Sequence, residues 1–208
     1  MEIKRFYTGP FQTNGFLVWN ENKEAYFFDC EGESLNKVFD FIKENGLDLK
    51  YIVLTHGHGD HICGLNKMKA NFPDAKVYIG EEDRDFFYNN NLNLAPYIIG
   101  REFKYEGGFK TVKEGDKIGE FTVIDTPGHT IGSKCFYNKE NKILISGDTM
   151  FKNSFGRSDL PTGNGRELFK SLAKLCVRLP EDVKVYNGHM EPTTIGDEKR
   201  FLSSQGLI

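Results

Sequence analysis

All five histidines of this 208-residue chain stand directly after a segment whose pattern predicts a β-strand. Three of them lie in the run Thr-His-Gly-His-Gly-Asp-His at residues 55–61, which follows the wholly apolar residues 51–54. The other two, His129 and His189, each follow a further predicted strand. Histidines without a shared role are expected to be scattered over the chain. Because binding sites of layered α/β folds form where strands end, this placement favours such a fold with a site built on histidines.

Strand and helix patterns run through the chain twice in the same order. Short alternating or apolar runs predict strands, and runs with apolar residues three and four apart predict helices. The predicted strands are 3–7, 16–19, 25–28, 51–54, 76–79, 121–125, 134–137, 143–146 and 183–186, and the predicted helices are 34–44, 62–70, 81–88 and 167–179. Strands followed by a helix, in two similar halves, favour two packed β-sheets with helices outside them, in a single domain over residues 1–208.

Local signals refine this pattern at two places. Ser34 is expected to cap the helix 34–44 at its start, and Gly46 is expected to end it. Residues 89–110 have weak periodicity and contain three consecutive asparagines, an Ala-Pro pair and a Gly-Gly pair. From composition alone this segment is either a lid over the site or a linker between the two halves.

Composition and charge argue against several classes of function. The formal net charge of −3 provides no basic field for nucleic acid. No apolar run approaches the roughly 20 residues that cross a bilayer, and the first five residues carry no signal-peptide core. We therefore expect a cytoplasmic protein with a small-molecule substrate and neither nucleic acid nor membrane as a partner; the oligomeric state stays open. Four scattered cysteines are expected to be reduced and mostly buried, namely Cys30, Cys63, Cys135 and Cys176.

The run at residues 55–61 is the strongest chemical signal. It places four metal-binding side-chain types, His56, His58, Asp60 and His61, within six residues. The intervening glycines allow the backbone to turn tightly enough for these side chains to converge. Imidazole suits divalent zinc or iron, and a carboxylate adds negative charge that holds a cation. A polar surface loop with incidental histidines is the alternative, and the gathering of all histidines at strand ends argues against it.

Two aspartates also follow predicted strands. Asp148 stands in the run Ser-Gly-Asp-Thr after the strand 143–146. A lone aspartate there more often forms a turn or caps a helix. Because the other strand ends carry candidate ligands, a metal-binding role is favoured for Asp148. Asp29 follows the strand 25–28, and it either orients a ligand histidine or only forms a turn.

In their order, these residues resemble the metallo-β-lactamase superfamily. The resemblance is carried by the His-x-His-x-Asp-His run, the Pro-Gly-His turn at 127–129, Gly147-Asp148 and Gly188-His189. It implies a four-layer αββα sandwich with a two-metal site along one edge. The ligands it implies are His56, His58 and His129 for the first metal, Asp60, His61 and His189 for the second, and Asp148 as the bridge between the two. Zinc is the expected metal, with iron and manganese as alternatives. An aspartate bridge does not resemble the true β-lactamases that place cysteine there.

Within the superfamily the chain most resembles glyoxalase II, the hydroxyacylglutathione hydrolases. The runs at 126–133 and 147–151 carry this likeness, and Asp-Leu-Pro-Thr-Gly at 159–163 is typical of the shorter, bacterial forms. Arg157 matches a basic position that helps to bind the thiol-bearing half of the substrate in this family, and a merely solvated arginine is the alternative. Longer glyoxalases II carry a basic C-terminal extension that binds glutathione. We expect it to be absent here, because the chain ends shortly after His189.

The predicted function is hydrolysis of a 2-hydroxyacyl thioester, such as S-lactoylglutathione, by a hydroxide that bridges two metals. Asp60 and Asp148 are the predicted catalytic residues, because they position the hydroxide while they bind metal. No histidine is left over to protonate a leaving group, which fits a departing thiolate. The alternatives are a persulfide dioxygenase with one iron, a non-catalytic metal-binding domain and a nuclease. The negative net charge argues against the nuclease.

Overall fold

The computed structural model describes residues 1–32 and 34–208, which form two compact units. The first unit comprises Met1–Ile79 and Arg84–Thr111, and the second comprises Gly80–Asp83 and Val112–Ile208. The described residues form one six-stranded sheet for each half of the chain, as the repeated pattern predicts. The assignment of the whole chain to a single domain stays a prediction.

The sheet of the first half begins as an antiparallel meander and continues with parallel strands. Its strands, in spatial order, are β1 (Glu2–Tyr7), β2 (Asn14–Trp19), β3 (Glu24–Phe28), β4 (Asp48–Val53), β5 (Lys76–Gly80) and β6 (Lys110–Val112). β1, β2 and β3 pair antiparallel, whereas β4 pairs in parallel with β3 and β5. Because Phe28 is paired with Val53, the segments that follow β3 and β4 emerge side by side. Asp29 is therefore a neighbour of the run at residues 55–61.

Short helices and the sheet enclose the core of the first unit. The helical elements between residues 36 and 98 are α1 (Asn36–Glu44), α2 (Gly59–Ile62), α3 (Leu65–Asn71), a 3-10 helix (Glu81–Phe87), α4 (Asn90–Asn93) and α5 (Ala95–Ile98). The core joins Leu17 and Ile52 of the sheet to Val38 and Ile42 of α1 and to Leu65 of α3. Burial of these apolar side chains is the main stabilising contribution in this unit.

Residues 89–110 belong to the first unit, and they do not link the two units. Phe103 and Tyr105 are buried in its core. Ala95, the first residue of α5, packs closely against Gly59 of α2. The linker interpretation is therefore wrong, and the lid interpretation stays a prediction.

The predicted start of the first helix is also wrong. α1 begins at Asn36, and no side chain caps it. The N–H of Ser34 instead donates to the carbonyl oxygen of Thr8 at 3.1 Å, which ties this residue to a neighbouring loop. Gly46 ends the helix as predicted, with φ of +60° and its N–H on the carbonyl oxygen of Lys43.

The predicted helix at 62–70 is two short helices, α2 and α3. α2 begins at Gly59, so Asp60 and His61 lie on a helical turn and not in a loop. The turn places the two side chains next to each other at its start.

The second half of the chain repeats the mixed sheet in a different order. The strands of its sheet, in spatial order, are β14 (Thr193–Thr194), β13 (Lys184–Asn187), β10 (Ile143–Gly147), β9 (Lys134–Asn138), β8 (Phe121–Asp125) and β7 (Lys117–Ile118). A separate hairpin joins β11 (Met150–Phe151) to β12 (Ser154–Phe155). β10 and β13 are parallel neighbours, so the residues that follow them, Asp148 and His189, emerge at the same edge.

Two helices pack in the second unit, α6 (Gly165–Arg178) and α7 (Ile195–Ser204). The side-chain oxygen of Asn164 caps α6 by accepting the backbone N–H groups of Arg166 and Glu167. The apolar face of α6, with Leu168 and Leu172, is buried in the core of this unit together with Val185. The amphipathic helix that the sequence predicts here is confirmed.

Two expectations from composition can be compared with the described residues. No helix among them is long and apolar enough to cross a membrane. All four cysteines are buried free thiols, as expected.

Candidate metal centre

The first unit gathers the four candidate ligands of the run at residues 55–61. His56 and His58 lie in the loop after β4, and Asp60 and His61 lie on α2. All four are buried, with at most 8% of any residue exposed. The ring centroid of His56 lies 4.0 Å from that of His61 and 4.9 Å from that of His58. One short segment therefore brings three imidazoles and one carboxylate together in a buried place.

The two glycines of this run are required by close packing. A Cβ on Gly57 would lie 2.4 Å from the ring of Phe86. A Cβ on Gly59 would lie 3.1 Å from the Cα of Ala95 and 3.2 Å from the carbonyl oxygen of Asn93. Neither glycine has a positive φ. Both glycines were expected to allow a tight turn, whereas the structure shows that residues 86–95 pack against the segment 55–61.

Asp29 holds two of the histidines through one network. Its carboxylate accepts the Thr55 N–H at 2.8 Å, the Thr55 hydroxyl at 2.8 Å and His61 Nδ1 at 2.9 Å. Thr55 Oγ1 also lies 3.1 Å from His56 Nδ1, and it accepts there because its only proton goes to Asp29. The protons of His56 and His61 are thus on Nδ1, which leaves the lone pair of each ring on Nε2. Of the two interpretations of Asp29, these contacts favour the orienting one, because its carboxylate holds the ring of the candidate ligand His61.

The buried carboxylate of Glu31 supports Asp60 through Thr13. Thr13 Oγ1 donates to Asp60 Oδ2 at 3.2 Å. The carboxylate of Glu31 accepts the backbone N–H of Phe11 at 2.8 Å and that of Thr13 at 3.4 Å, which fixes the loop before β2. Burial raises the pKa of Glu31 above its usual value. No sequence pattern marks Glu31, because it stands outside the ligand motif.

The second unit gathers the remaining candidates His129, Asp148 and His189, each from the loop after a strand. Asp148 Oδ2 lies 3.6 Å from His129 Nε2 and 3.2 Å from His189 Nε2. His129 is buried, and Asp148 and His189 are partly exposed. One carboxylate oxygen therefore stands beside two imidazole nitrogens, as expected of a shared ligand.

A backbone carbonyl orients His129. Its Nδ1 lies 2.7 Å from the carbonyl oxygen of Arg157, which can only accept, so the proton is on Nδ1 and the lone pair is on Nε2. Gly156 makes this approach possible, because a Cβ there would lie 1.8 Å from the carbonyl oxygen of Asp148 and 3.3 Å from His129 Nδ1. The main chain at residues 156–157 thus orients His129, a role that no sequence pattern indicates.

The side chain of Arg157, the predicted substrate-binding residue, is engaged elsewhere. Its Nε and Nη2 donate to the two carboxylate oxygens of Asp159, both at 2.7 Å. The guanidinium lowers the pKa of Asp159 to about 2. Both side chains are exposed, so the pair adds little stability and a ligand carboxylate could compete with it. The substrate role of Arg157 stays a prediction.

The Pro-Gly-His turn is braced by α6. Gly128 has φ of +141°, and a Cβ there would lie 2.3 Å from the Cα of Leu168. The carbonyl oxygen of Gly128 accepts the N–H of Asn164 at 2.8 Å, and that of Pro127 accepts the hydroxyl of Ser171 at 2.8 Å. Only glycine allows the helix to approach this closely, and the contact fixes the backbone just before His129.

The donor set of each unit fits a divalent cation. The Nε2 atoms of His56, His61 and His129 carry lone pairs, and hydrogen bonds on the opposite ring nitrogen hold that arrangement in place. Metal-bound histidines in proteins use this same arrangement. The lone pair of His129 Nε2 faces the carboxylate of Asp148, an opposition of two electron-rich atoms that a cation relieves.

The sequence model of the metallo-beta-lactamase superfamily matches residues 8–189 of this chain. This chain belongs to that superfamily. Its members bind divalent metals, and the matched range contains all seven predicted ligands. The superfamily and the mixed α/β fold that the sequence predicts are both confirmed.

Three similar proteins match this chain along nearly all of its length. The hydroxyacylglutathione hydrolase GloC of Haemophilus influenzae is 31% identical over 99% of this chain and 100% of GloC. The BLEG-1 B3 metallo-beta-lactamase is 33% identical over 96% of this chain and 97% of its own, with a TM-score of 0.87. TTHA1623, solved in a di-iron-bound form, is 31% identical over 95% of this chain and 98% of its own, with a TM-score of 0.86. The chain is accordingly a metallo-hydrolase by family.

Proposed function

We propose that this chain hydrolyses thioesters of 2-hydroxy acids, such as S-lactoylglutathione, with two divalent metals. The proposed ligands are His56, His58 and His129 for the first metal, Asp60, His61 and His189 for the second, and Asp148 for both. The observation that carries the proposal is that each unit gathers its candidate ligands, of which His56, His58, Asp60, His61 and His129 are buried, and that hydrogen bonds at Nδ1 of His61 and His129 assign Nε2 as the ligand atom. The likeness to the hydroxyacylglutathione hydrolase GloC supports the thioester substrate.

Two cations held by these residues would supply hydroxide at neutral pH and would polarise the thioester carbonyl. In the proposal, the carboxylates of Asp60 and Asp148 orient the attacking group. The hydroxyl of Thr13 holds Asp60 in place by donating to its Oδ2. The leaving thiolate needs no proton from the protein, which agrees with the use of every histidine of the chain as a ligand. Arg157 is the proposed contact for the thiol-bearing half, and it would exchange Asp159 for a carboxylate of the substrate.

Zinc is the proposed metal, and iron and manganese are the alternatives. All three accept imidazole and carboxylate ligands, and their supply in the cell decides among them. TTHA1623 was solved with two irons, which supports iron as the first alternative. The likeness to BLEG-1 makes lactam ring opening a second reaction to be assayed.

The test combines metal analysis with turnover. The protein is loaded in turn with zinc, iron and manganese, and metal per chain is measured together with hydrolysis of S-lactoylglutathione and of a β-lactam. We expect about two metals per chain and thioester turnover, since seven ligands exceed the roughly four that one zinc needs. Asp148→Ala is expected to lose at least one metal and nearly all turnover. Asp85→Asn, which changes an exposed carboxylate, is the control and should keep both.

Two results would contradict the proposal. At most one metal per chain after loading excludes the two-metal centre. If the protein binds two metals and opens a lactam but does not hydrolyse the thioester, the two-metal centre is supported and the proposed substrate class is rejected.

A further inference from the structure

Residues 80–83 interrupt the first unit in sequence, but their contacts belong to the second unit. Asp83, the last of them, is fully buried. Its Oδ2 accepts the hydroxyl of Thr130 at 2.7 Å, and its Oδ1 accepts the backbone N–H of Gly132 at 2.8 Å. Both partners lie within three residues of His129. A buried carboxylate from a distant part of the sequence thus holds the loop that follows a predicted metal ligand.

The packing between the two segments is as close as glycine permits. A Cβ on Gly132 would lie 2.5 Å from the carboxyl carbon of Asp83. A Cβ on Gly80 would lie 2.1 Å from the carbonyl oxygen of Gly132. A hydrogen bond within the loop adds to this packing, because Ser133 Oγ accepts the N–H of Thr130 at 3.0 Å. The loop therefore has little freedom to shift while Asp83 is in place.

Burial of a carboxylate is unfavourable in free energy, because the group loses its hydration. Its two charge-assisted hydrogen bonds offset that cost and have a fixed direction, which an apolar side chain cannot provide. The neighbouring Glu82 has a separate role. It pairs with the buried Lys134 at 2.8 Å, and Lys134 also pairs with Asp125 at 2.9 Å. Asp83 contacts the loop after His129, and Glu82 contacts the lysine beyond it.

We propose that Asp83 is a positioning residue for His129, which fixes the ring for metal binding through Thr130 and Gly132. Gly128 packs the preceding turn against α6, and the carbonyl of Arg157 holds the ring of His129 itself. The inference rests on the proposed metal role of His129, but it does not depend on which substrate is hydrolysed.

The test measures metal affinity apart from turnover and from folding. Asp83→Ala, Asp83→Asn and the control Glu82→Ala are compared with the unchanged protein. The readouts are competition with a chromophoric chelator, the absorption spectrum of the cobalt-loaded protein and the urea midpoint of the metal-free protein. Asp83→Ala should weaken metal binding by about 10- to 100-fold, as loss of a partner that orients a ligand does, and should change the cobalt spectrum.

The two other variants separate positioning from stability. In Asp83→Asn the amide oxygen can accept from Gly132 and the amide N–H can donate to Thr130, so metal affinity should largely return. Glu82→Ala weakens the ion pair of Lys134, so it should lower the urea midpoint and leave the cobalt spectrum unchanged. If Asp83→Ala does not fold, Thr130→Val and Thr130→Ser replace it, and only the valine variant should lose affinity.

The proposal fails if Asp83→Ala binds metal as tightly as the unchanged protein with the same cobalt spectrum. It also fails if Glu82→Ala loses metal affinity to the same extent at an equal loss of stability. Absence of thioester turnover in the unchanged protein, with normal metal binding, would reject the proposed function and leave this test intact.

Discussion

Hydrogen bonds at single residues decide which nitrogen of each histidine can bind a cation. His61 donates to the carboxylate of Asp29, and His56 donates to the hydroxyl of Thr55 that Asp29 in turn holds. His129 donates to the carbonyl oxygen of Arg157. The partner of His61 is thus a carboxylate, whereas those of His56 and His129 are a hydroxyl and a backbone carbonyl. The three rings present Nε2 for the same reason, although their partners differ.

The exposed pair between Arg157 and Asp159 leads to a prediction about substrate affinity. If Arg157 binds the thiol-bearing half, Arg157→Ala should raise KM for S-lactoylglutathione about 10- to 100-fold, as loss of one charge-assisted contact predicts. Metal content should not change, since the contact that holds His129 is with the main-chain carbonyl of Arg157, which the substitution keeps. Asp159→Ala removes the competing carboxylate and should lower KM. Steady-state kinetics of both variants measure these shifts.

The matched variant Asp159→Asn controls for side-chain volume, because it removes the charge and keeps the shape. It should also lower KM. An unchanged KM in Arg157→Ala for every thioester that is hydrolysed would make Arg157 a solvated side chain.

At the scale of elements, the contact between α6 and the Pro-Gly-His turn couples a helix to a ligand. Gly128→Ala would place a methyl group against the backbone of Leu168 at a residue with positive φ. Strain and overpacking together should cost about 2–6 kcal/mol. Because the turn must move away from α6, metal held by His129 should be lost as well. Urea unfolding and metal analysis of the purified variant measure both effects.

Gly108→Ala is the control for Gly128→Ala, because a Cβ at Gly108 meets nothing within 4 Å. It should leave the urea midpoint and the metal content near those of the unchanged protein. A Gly128→Ala variant with full metal content would show that the turn tolerates a shift of α6.

The elements that sequence patterns predicted are those with a strong period. Residues 51–54 before His56 are wholly apolar, and they locate the second half of β4. The face of α6 repeats leucines at helical spacing, so this helix was found as well. α7 was missed because its residues are mostly polar and charged, and it is formed where Ile195 and Leu202 dock on the core of the second unit. Its cap, Thr194, has a local signal, but no apolar stripe follows to support it.

The residues of the candidate site also fall into two groups, those that sequence patterns indicate and those that they do not. Its candidate ligands could be selected from the sequence because metal chemistry restricts ligands to few residue types, and these cluster at strand ends; their metal-binding role stays a prediction. Glu31, Thr13 and Asp83 support these ligands, and they could not be predicted, because each is a common polar residue far from its partner in sequence. Asp29 is an intermediate case. Its position after a predicted strand marked it as a candidate, but its partners Thr55 and His61 could not be predicted.

At the scale of the whole molecule, each unit has its own sheet and its own apolar core. The first unit carries four of the seven predicted ligands, and the second carries three. The two leading functions require different numbers of them. A hydrolase with two metals uses all seven, whereas a dioxygenase with one iron uses only His56, His129 and Asp148.

The two functions therefore predict different effects when His61 in the first unit or His189 in the second is replaced. Under the proposed hydrolase, His61→Ala or His189→Ala should empty the second metal position, halve the metal content and remove most thioester turnover, because His61 and His189 would hold the cation that helps to supply hydroxide and to stabilise negative charge. Under the dioxygenase, the single iron keeps its ligands, and oxygen uptake with glutathione persulfide should continue in both variants. Asp85→Asn is again the control for handling and metal loading.

Persulfide-dependent oxygen uptake that persists in His189→Ala, with no thioester turnover in the unchanged protein, would decide for the dioxygenase. The hydrolase is favoured because the ligands that only it requires, His58, Asp60, His61 and His189, are all present in the chain.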